Sequence, residues 1–559
     1  MKLPDSALSN PGARLSWLLI LIVALGAFAS RVPRLSLRPM HTDEAVHADK
    51  FGDLLEAGDY QYDPNEYHGP TLNYFTLISA RLSGARKYTE ISEVTLRIVP
   101  VVFSALLIGL TVFLARGLGV ATIPVALLVA ISPAMFFYSR YYIQETLLVC
   151  FTFGAIIVGY RYAQTKALRW AAVAGVFVGL MHATKETCII ALGSMALAWG
   201  LVVLIGACRG RPWRTALQGV RPLHLVVGLA TAIVVSAVFC SSFFSHPRGV
   251  LDSYLTYANY FSRGAGHDTT HVHPWYYFLH MLLFARYAGG PIWTEGWIVL
   301  LALVGAAVAV RGRPLGKIDA TFVRFLALYT LVLVVVYSAI PYKTPWCLLS
   351  FLHGLILLAG VGAVALVTWL RQPAAHAVAV ALLVAAAAHL AWQAYRGSFV
   401  YQADSRNPYV YAHPTDDIFT VVDKITDYVG IDGVGESVPI DIVCSGSDYW
   451  PLPWYLRGYA VRWSSEIPAE VGPLVVISAE LENALSRRLY VETPREQIRM
   501  YMYLFDDPYY VWFRPQVKLV GFVRKDLSDH YQQRPDPAAL LEGQRDQATG
   551  QTGDAVRPQ

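Results

Sequence analysis

SWLLILIVALGAFASRVPRLSLRPMHTDEAVHADKF, residues 16–51, sets a run with no ionisable side chain before Arg31 just ahead of two adjacent carboxylates, Asp43 and Glu44. A helix needs roughly 20 apolar residues to cross a hydrocarbon core. The run from about 15 to 35 has that length. Comparable runs recur near 94–115, 119–137, 145–163, 169–185, 188–207, 223–244, 292–310, 321–340, 346–370 and 374–395. With 55% hydrophobic and 15% charged residues among 559, the chain reads as an α-helical polytopic membrane protein of about eleven transmembrane helices.

Lys and Arg gather on alternate connections: Arg116; Arg161, Lys166 and Arg169; Arg209, Arg211, Arg214 and Arg221; Arg311, Arg313, Lys317 and Arg324; then Arg371. Cytoplasmic loops carry such an excess, which predicts a cytoplasmic amino terminus, an extracytoplasmic carboxyl-terminal portion and a multi-pass place in the cytoplasmic (inner) membrane. The first run lacks a small-residue cleavage site and is expected to persist as a helix. Residues 396–559 hold 16 Lys and Arg against 23 Asp and Glu, which leaves 29 against 17 for residues 1–395. The net charge of +5 therefore comes from basic loops and points to no nucleic-acid partner. The six cysteines show no pairing pattern and no CxxC, so neither a disulfide framework nor a structural zinc site is expected. Without a Walker loop or GxGxxG, neither ATP hydrolysis nor a soluble nucleotide-sugar site is indicated.

Three regions break the apolar pattern, and function is expected there. The loop 36–92 carries HTDEAVHADKFGDLLEAG and HGPTLNYFTLISARLSG, amphipathic segments that suit helices lying in the membrane interface. Residues 246–291 are dense in Tyr, His and Trp, which reads first as an interfacial aromatic belt. From 396 onward, PIDIVCSG (439–446) and PLVVISAE (473–480), the latter followed by LENALSRRLY, predict an extracytoplasmic α/β domain over 396–529. The Gln-, Asp-, Pro- and Gly-rich end predicts a disordered tail over 530–559. Residues 1–395 are then the transmembrane domain, with 36–92 as its catalytic first outer loop.

The ionisable residues of these loops suggest chemistry. Asp43 and Glu44 open an interfacial helix, where acids also serve simply to complement the helix dipole, worth about 0.3–1 kcal/mol. Arg140 and Glu145 flank a short turn in SPAMFFYSRYYIQETLLV, either as functional groups or as an ion pair. Lys185, in MHATKETCII, suits a lipid phosphate as a point charge or snorkels to the interface. Lys343 and Tyr342, in SAIPYKTPWCLL, sit in a turn stiffened by Pro341 and Pro345. Transfer from a lipid phosphate to a hydroxyl needs cations for the departing phosphate and a carboxylate for the acceptor proton. His41, His47 and His68 beside the acids leave a divalent metal cofactor open, with no ligand set named.

HTDEAVH, the YHGPTLNYF stretch, the acid after Ser-Arg, TKE and IPYKTPW, in that order, resemble the GT-C glycosyltransferases. The resemblance is to the protein O-mannosyltransferase and aminoarabinose-transferase branch, and within it to the bacterial and archaeal flippase-associated, mannosyltransferase-like proteins. It covers roughly residues 10–395 and departs from the oligosaccharyltransferase branch, since no WWD-type motif is present. It implies a GT-C-like fold and an inverting transfer of a sugar from a polyprenyl-phosphate donor to a hydroxyl of a protein, lipid or glycan acceptor, on the extracytoplasmic face. It further implies Asp43 as the base, with Glu44 beside it orienting the acceptor or tuning the pKa. Glu145 matches the second-loop acid, and Lys185 and Lys343, with Arg140, would hold the phosphate. His47, His68 and Tyr342 complete the candidate substrate-binding set.

Two other classes suit so many spans. One is a transporter or a flippase component for lipid-linked glycans, the other a non-catalytic scaffold with a sensory outer domain. Carriers usually show two related halves with charges near the midplane, whereas these charges fall at one face. Acids and lysines scattered through the structure would favour either alternative.

Overall fold

A computed structural model of the chain describes residues 11–65, 68–264, 271–311, 315–430 and 438–533. It separates into two compact units, Met1–His413 and Pro414–Gln559. Residues 396–413, expected in the outer domain, belong to the first unit, where Tyr409 and His413 are buried against Phe137.

Among the described residues of the first unit, eight helical stretches are long and apolar enough to cross a membrane, and Leu168–His182 and Gly296–Arg311 are apolar but shorter. Each of the eleven runs in the sequence overlaps a helix, but 94–115 and 119–137 join in one stretch, Glu93–Ile131, through 3-10 turns at Thr111–Leu114 and Gly119–Ala121. The helices Glu145–Thr165 and Leu349–Trp369 bury most of their length and form the centre. Pro11–Arg31 and Pro373–Tyr395 instead present exposed apolar side chains, such as Leu18, Ile22, Val380 and Leu382, as lipid-facing helices do. Small residues let the inner helices touch. A Cβ on Gly305 would lie 2.1 Å from the Leu358 carbonyl oxygen, and one on Gly362 2.0 Å from that of Leu301.

The first loop folds into two helices, Thr42–Ala57 and Thr71–Ser83. His41 caps the first: its Nδ1 accepts the Asp43 N–H, while Glu44 reaches back to the His41 N–H at 3.1 Å. Gly58, at φ 66°, ends it in the left-handed conformation that glycine adopts without steric cost. Ala45, Ala48, Phe51 and Leu54 are buried, so protein covers the apolar face that the sequence pattern offers to a membrane interface.

The second unit is built on a sheet ordered β2-β1-β3-β6-β4, with β5 also pairing β6. The strands are β1 (Ile440–Val443), β2 (Val461–Ser464), β3 (Leu474–Ser478), β4 (Tyr501–Tyr503), β5 (Val511–Arg514) and β6 (Val517–Arg524). β1 runs parallel to β2 and β3, and β6 antiparallel to β3. Mostly apolar strands fit this place, since β1 and β3 are buried along their whole length, with Asp441 of β1 paired to Arg462. The helix Asp417–Val429 packs Ile418, Val421 and Ile425 on one face. Of the tail 530–559, residues 530–532 end the helix Lys525–Gln532, and the part from 534 onward lies outside the described residues.

Candidate active site

Glycine at position 69 begins the site. A Cβ there would stand 2.2 Å from the Ala183 carbonyl oxygen, so only glycine lets the 68–71 segment lie against the 183–187 turn. The two are then pinned by the Thr71 N–H donating to Ala183 O at 3.2 Å and by the Thr71 and Thr184 hydroxyls at 2.8 Å. This contact sets His68 beside Glu186 and carries Lys185 inward. Gly69→Ala is expected to lower stability by about 1–3 kcal/mol through overpacking and to impair substrate binding. Thermal melting of the purified protein measures the first effect, and an unchanged melt would show that the turn yields freely.

Four of the residues singled out in the sequence meet around His47, which is buried in the helix Thr42–Ala57 and lies 6.0 Å, ring to ring, from His68. The charges of His68, Asp43, Lys185 and Glu186 all act on it. Glu186 accepts from His68 Nδ1 at 2.9 Å and from the Tyr62 hydroxyl at 3.0 Å, and Tyr260 stands 2.8 Å from the same His68 nitrogen. Burial works against the Glu186 carboxylate, but His68 holds its pKa below the ordinary value.

Lys185 and Glu145 form a buried ion pair. Burial alone would lower the lysine pKa, yet the Glu145 carboxylate keeps it above the ordinary value. Glu145 engages Lys185 through Oε1, and its Oε2 is buried without a hydrogen-bond partner. The Tyr141 hydroxyl and Gln144 Oε1, close to Glu145 in the chain, share that condition, as does Thr42 Oγ1 next to Asp43. Buried polar atoms left open in this way cost about 1–3 kcal/mol each.

Asp43 and Glu44 part company. The Asp43 side chain remains 41% exposed. Its oxygen lies 3.7 Å from His41 Nδ1, but that nitrogen already accepts the Asp43 N–H, so no proton is available there for an ion pair. Glu44 is fully buried: Arg97 Nε and Nη2 each donate to it at 2.7 Å, Arg38 Nη2 at 3.3 Å and the Tyr142 N–H at 2.8 Å. Burial would raise its pKa, but Arg97 and then Arg38 overrule this and hold it at about 2. Expected beside the base as a partner in catalysis, Glu44 has its oxygens occupied and faces the interior.

Arg140 also departs from expectation. It pairs with neither Glu145 nor an open site; its Nη1 and Nη2 donate to the carbonyls of Arg31, Pro33 and Arg34. Backbone oxygens at the end of the first helix satisfy it. Lys343 lies in a separate cluster, its Nζ donating to the carbonyls of His273 and Ile340. Tyr342 bridges Val272 there, and the Tyr411 hydroxyl meets His271 Nδ1 at 2.7 Å and His273 Nε2 at 3.2 Å. His41 connects the two clusters, since its Nε2 lies 3.1 Å from Tyr411 O while its Nδ1 serves Asp43. Sequence reading missed Arg38, Arg97, Tyr62, Tyr260 and Tyr411. Arg97 carried a signal, because an arginine inside an apolar run must find a partner.

Among the described residues no group of three or more His, Cys, Asp or Glu side chains is arranged to hold a metal ion. Burial, and then His68, keep His47 neutral with a pKa of about 3 against an ordinary 6.5. The folded value is the lower one, so the associated stability is complete above pH 6.5 and is lost as the pH falls from there towards 3. Buried His413, whose pKa is also pushed well below the usual value, acts in the same direction. The melting temperature is expected to fall across that window, with a shallower slope in His47→Gln; equal slopes would assign the acid sensitivity elsewhere.

Residues 67–241 match the family described as dolichyl-phosphate-mannose-protein mannosyltransferase. That segment includes His68, Arg140, Glu145 and Lys185 but neither Asp43 nor Lys343. The chain is similar in structure to ArnT from Cupriavidus metallidurans bound to undecaprenyl phosphate, with a TM-score of 0.55 and 15% identity over 90% of this chain and 97% of that one. The apo state of that protein gives 0.56 and 16%, over 91% and 98%. The archaeal oligosaccharyltransferase AglB from Archaeoglobus fulgidus, in complex with an inhibitory peptide and a dolichol-phosphate, gives 0.51 and 13%, over 90% and 74%. No curated protein matches the chain in sequence. By fold the chain is similar to ArnT and to the oligosaccharyltransferase AglB, and its residues 67–241 match the dolichyl-phosphate-mannose-protein mannosyltransferase family.

Proposed function

We propose that the protein transfers a sugar, with inversion, from a polyprenyl-phosphate donor to an acceptor hydroxyl at the extracytoplasmic face of the cytoplasmic membrane. The observation that carries this reading is a half-exposed carboxylate, Asp43, gathered around His47 with a buried lysine, Lys185, whose partner Glu145 keeps one oxygen open. Asp43 takes the acceptor proton as its oxygen attacks the anomeric carbon, and the lipid phosphate leaves as a dianion. Lys185 meets that charge at the cost of loosening its bond to Glu145. The open Oε2 of Glu145 and the open groups of Tyr141, Gln144 and Thr42 hold sugar hydroxyls. His47 and His68 shape the cleft around the acceptor. Lys343 and Arg140 are proposed to position the flanking segments, since backbone carbonyls occupy their donors. The extracytoplasmic placement rests on the distribution of Lys and Arg among the loops.

Release of polyprenyl phosphate from a panel of labelled polyprenyl-phosphate sugars, measured in liposomes containing the protein, tests the reading. Release with one donor names the sugar; none with any donor, in a folded sample supplied with protein, lipid and glycan acceptors, refutes it. Lys185→Arg is expected to raise the donor KM by about 10–100-fold, the worth of one charge-assisted hydrogen bond misplaced, and to leave the acceptor KM unchanged. An unchanged donor KM would reject lysine as the phosphate ligand.

A further inference from the structure

We propose that the helix Arg248–Gly264 is a membrane anchor: its outward face lies among lipid acyl chains at the bilayer interface, and its inward face holds Pro64, Asn65 and His68 beside the candidate site. The helix is built inside out. Leu251, Tyr254, Leu255 and Phe261 share one face by their spacing, and all four are between 51% and 70% exposed. Asp252, Ser253 and Thr256 face the other way and are buried. In water that arrangement is the reverse of what the burial of apolar surface favours.

Hydrogen bonds fix the helix in this orientation. The Thr256 hydroxyl donates to the Pro64 carbonyl at 2.9 Å, and Asn259 Nδ2 donates to the same carbonyl at 3.2 Å and to Asn65 Oδ1 at 2.9 Å. The Tyr260 hydroxyl stands 2.8 Å from His68 Nδ1, the nitrogen that also meets Glu186. The helix cannot turn its apolar face inward without giving these contacts up. Something apolar must therefore come to it.

Lipid is the occupant that the surroundings favour. The membrane-length helix Pro222–Cys240 leads into this one through the turn 241–247 and packs against it. Leu225, Leu229 and Val234 of that span are exposed, as lipid-facing side chains are, and Phe244 in the turn is exposed as well. Exposed apolar side chains thus continue along the chain from the span into the helix. Arg248, its side chain 83% exposed in the first turn, suits headgroup phosphates, and Tyr254 has the amphipathic ring that gathers at headgroup level. The first-loop helix Thr42–Ala57 shows the opposite pattern, since protein already covers its apolar face. The interfacial role expected of that loop passes to Arg248–Gly264, which grips the loop from outside.

Nitroxide labels on single cysteines, in full-length protein reconstituted into phosphatidylethanolamine and phosphatidylglycerol liposomes, test the placement. A Cys208→Ser background removes the one exposed native thiol. Labels at Leu251→Cys, Leu255→Cys and Phe261→Cys should collide with oxygen in preference to nickel ethylenediaminediacetate, as a label at Leu229→Cys in the span does. A label at Ser465→Cys, exposed in the second unit, supplies the aqueous reference. Labels that meet the nickel chelate as freely as that reference would put the helix in water; labels that neither reagent reaches would put it against the second unit or a second copy of the chain. Either result would overturn the proposal. The grip on the loop has its own readout, a label at exposed Gln61→Cys, which should gain mobility when Leu251→Asp and Leu255→Asp are combined. An unchanged line shape there would overturn the holding role. Neither readout involves sugar transfer, so the proposal stands or falls apart from that reading.

Discussion

Asp43→Asn should lower sugar transfer by about 10²–10⁴-fold, the usual contribution of a positioned general base, while the protein melts as wild type does. The side chain is 41% exposed and holds no structural hydrogen bond to its nearest neighbour, His41, whose Nδ1 is occupied by the Asp43 backbone N–H. Asparagine keeps the shape and the backbone bond but cannot accept a proton. Substitutions at such positions change stability by about 0.5 kcal/mol or less, so lost activity would belong to the chemistry. Donor-dependent release of polyprenyl phosphate in liposomes is the measurement, with the donor KM followed alongside. A variant that retains more than half of wild-type turnover would remove Asp43 from the role of base.

The apolar runs already place the helices, because the membrane demands lengths and compositions that few other structures need. The strands 440–443 and 474–478 were legible for a similar reason, as runs rich in Ile and Val between turn residues. What the sequence could not separate was the pair Asp43 and Glu44. Both are acids in the first turn of one helix, but successive residues on a helix point about 100° apart, so Asp43 stays exposed while Glu44 turns inward to Arg38 and Arg97. That difference depends on Arg38 and Arg97, which come from the preceding loop and from a helix more than fifty residues away. The same limit explains Arg140: its neighbour in sequence, Glu145, suggested a pair, while the fold gives Glu145 to Lys185 and Arg140 to the carbonyls of residues 31–34. Gly69 shows the same limit: what requires glycine there is the backbone of Ala183, far along the chain, which no local pattern displays.

Glu44→Gln should destabilise the protein by about 3–5 kcal/mol, the cost of breaking a buried ion pair from one side, and lower the apparent melting temperature by roughly 10 °C. The amide would turn N–H donors towards Arg97, which already donates from Nε and Nη2, and would take the charge of Glu44 away from Arg38 and Arg97. Arg97→Met should show a similar loss, and the double variant less than the sum, because neither Glu44 nor Arg97 is then left charged without the other and only Arg38 loses its carboxylate. The acid limb gives an independent readout. Glu44 is held at about 2 against an ordinary 4.5, so its contribution is complete above pH 4.5 and drains away as the pH falls towards 2; the glutamine variant should lack that part of the slope. A wild-type melt combined with lost transfer would return Glu44 to the chemistry, because a residue whose only work is to hold the loop cannot be removed without loosening it.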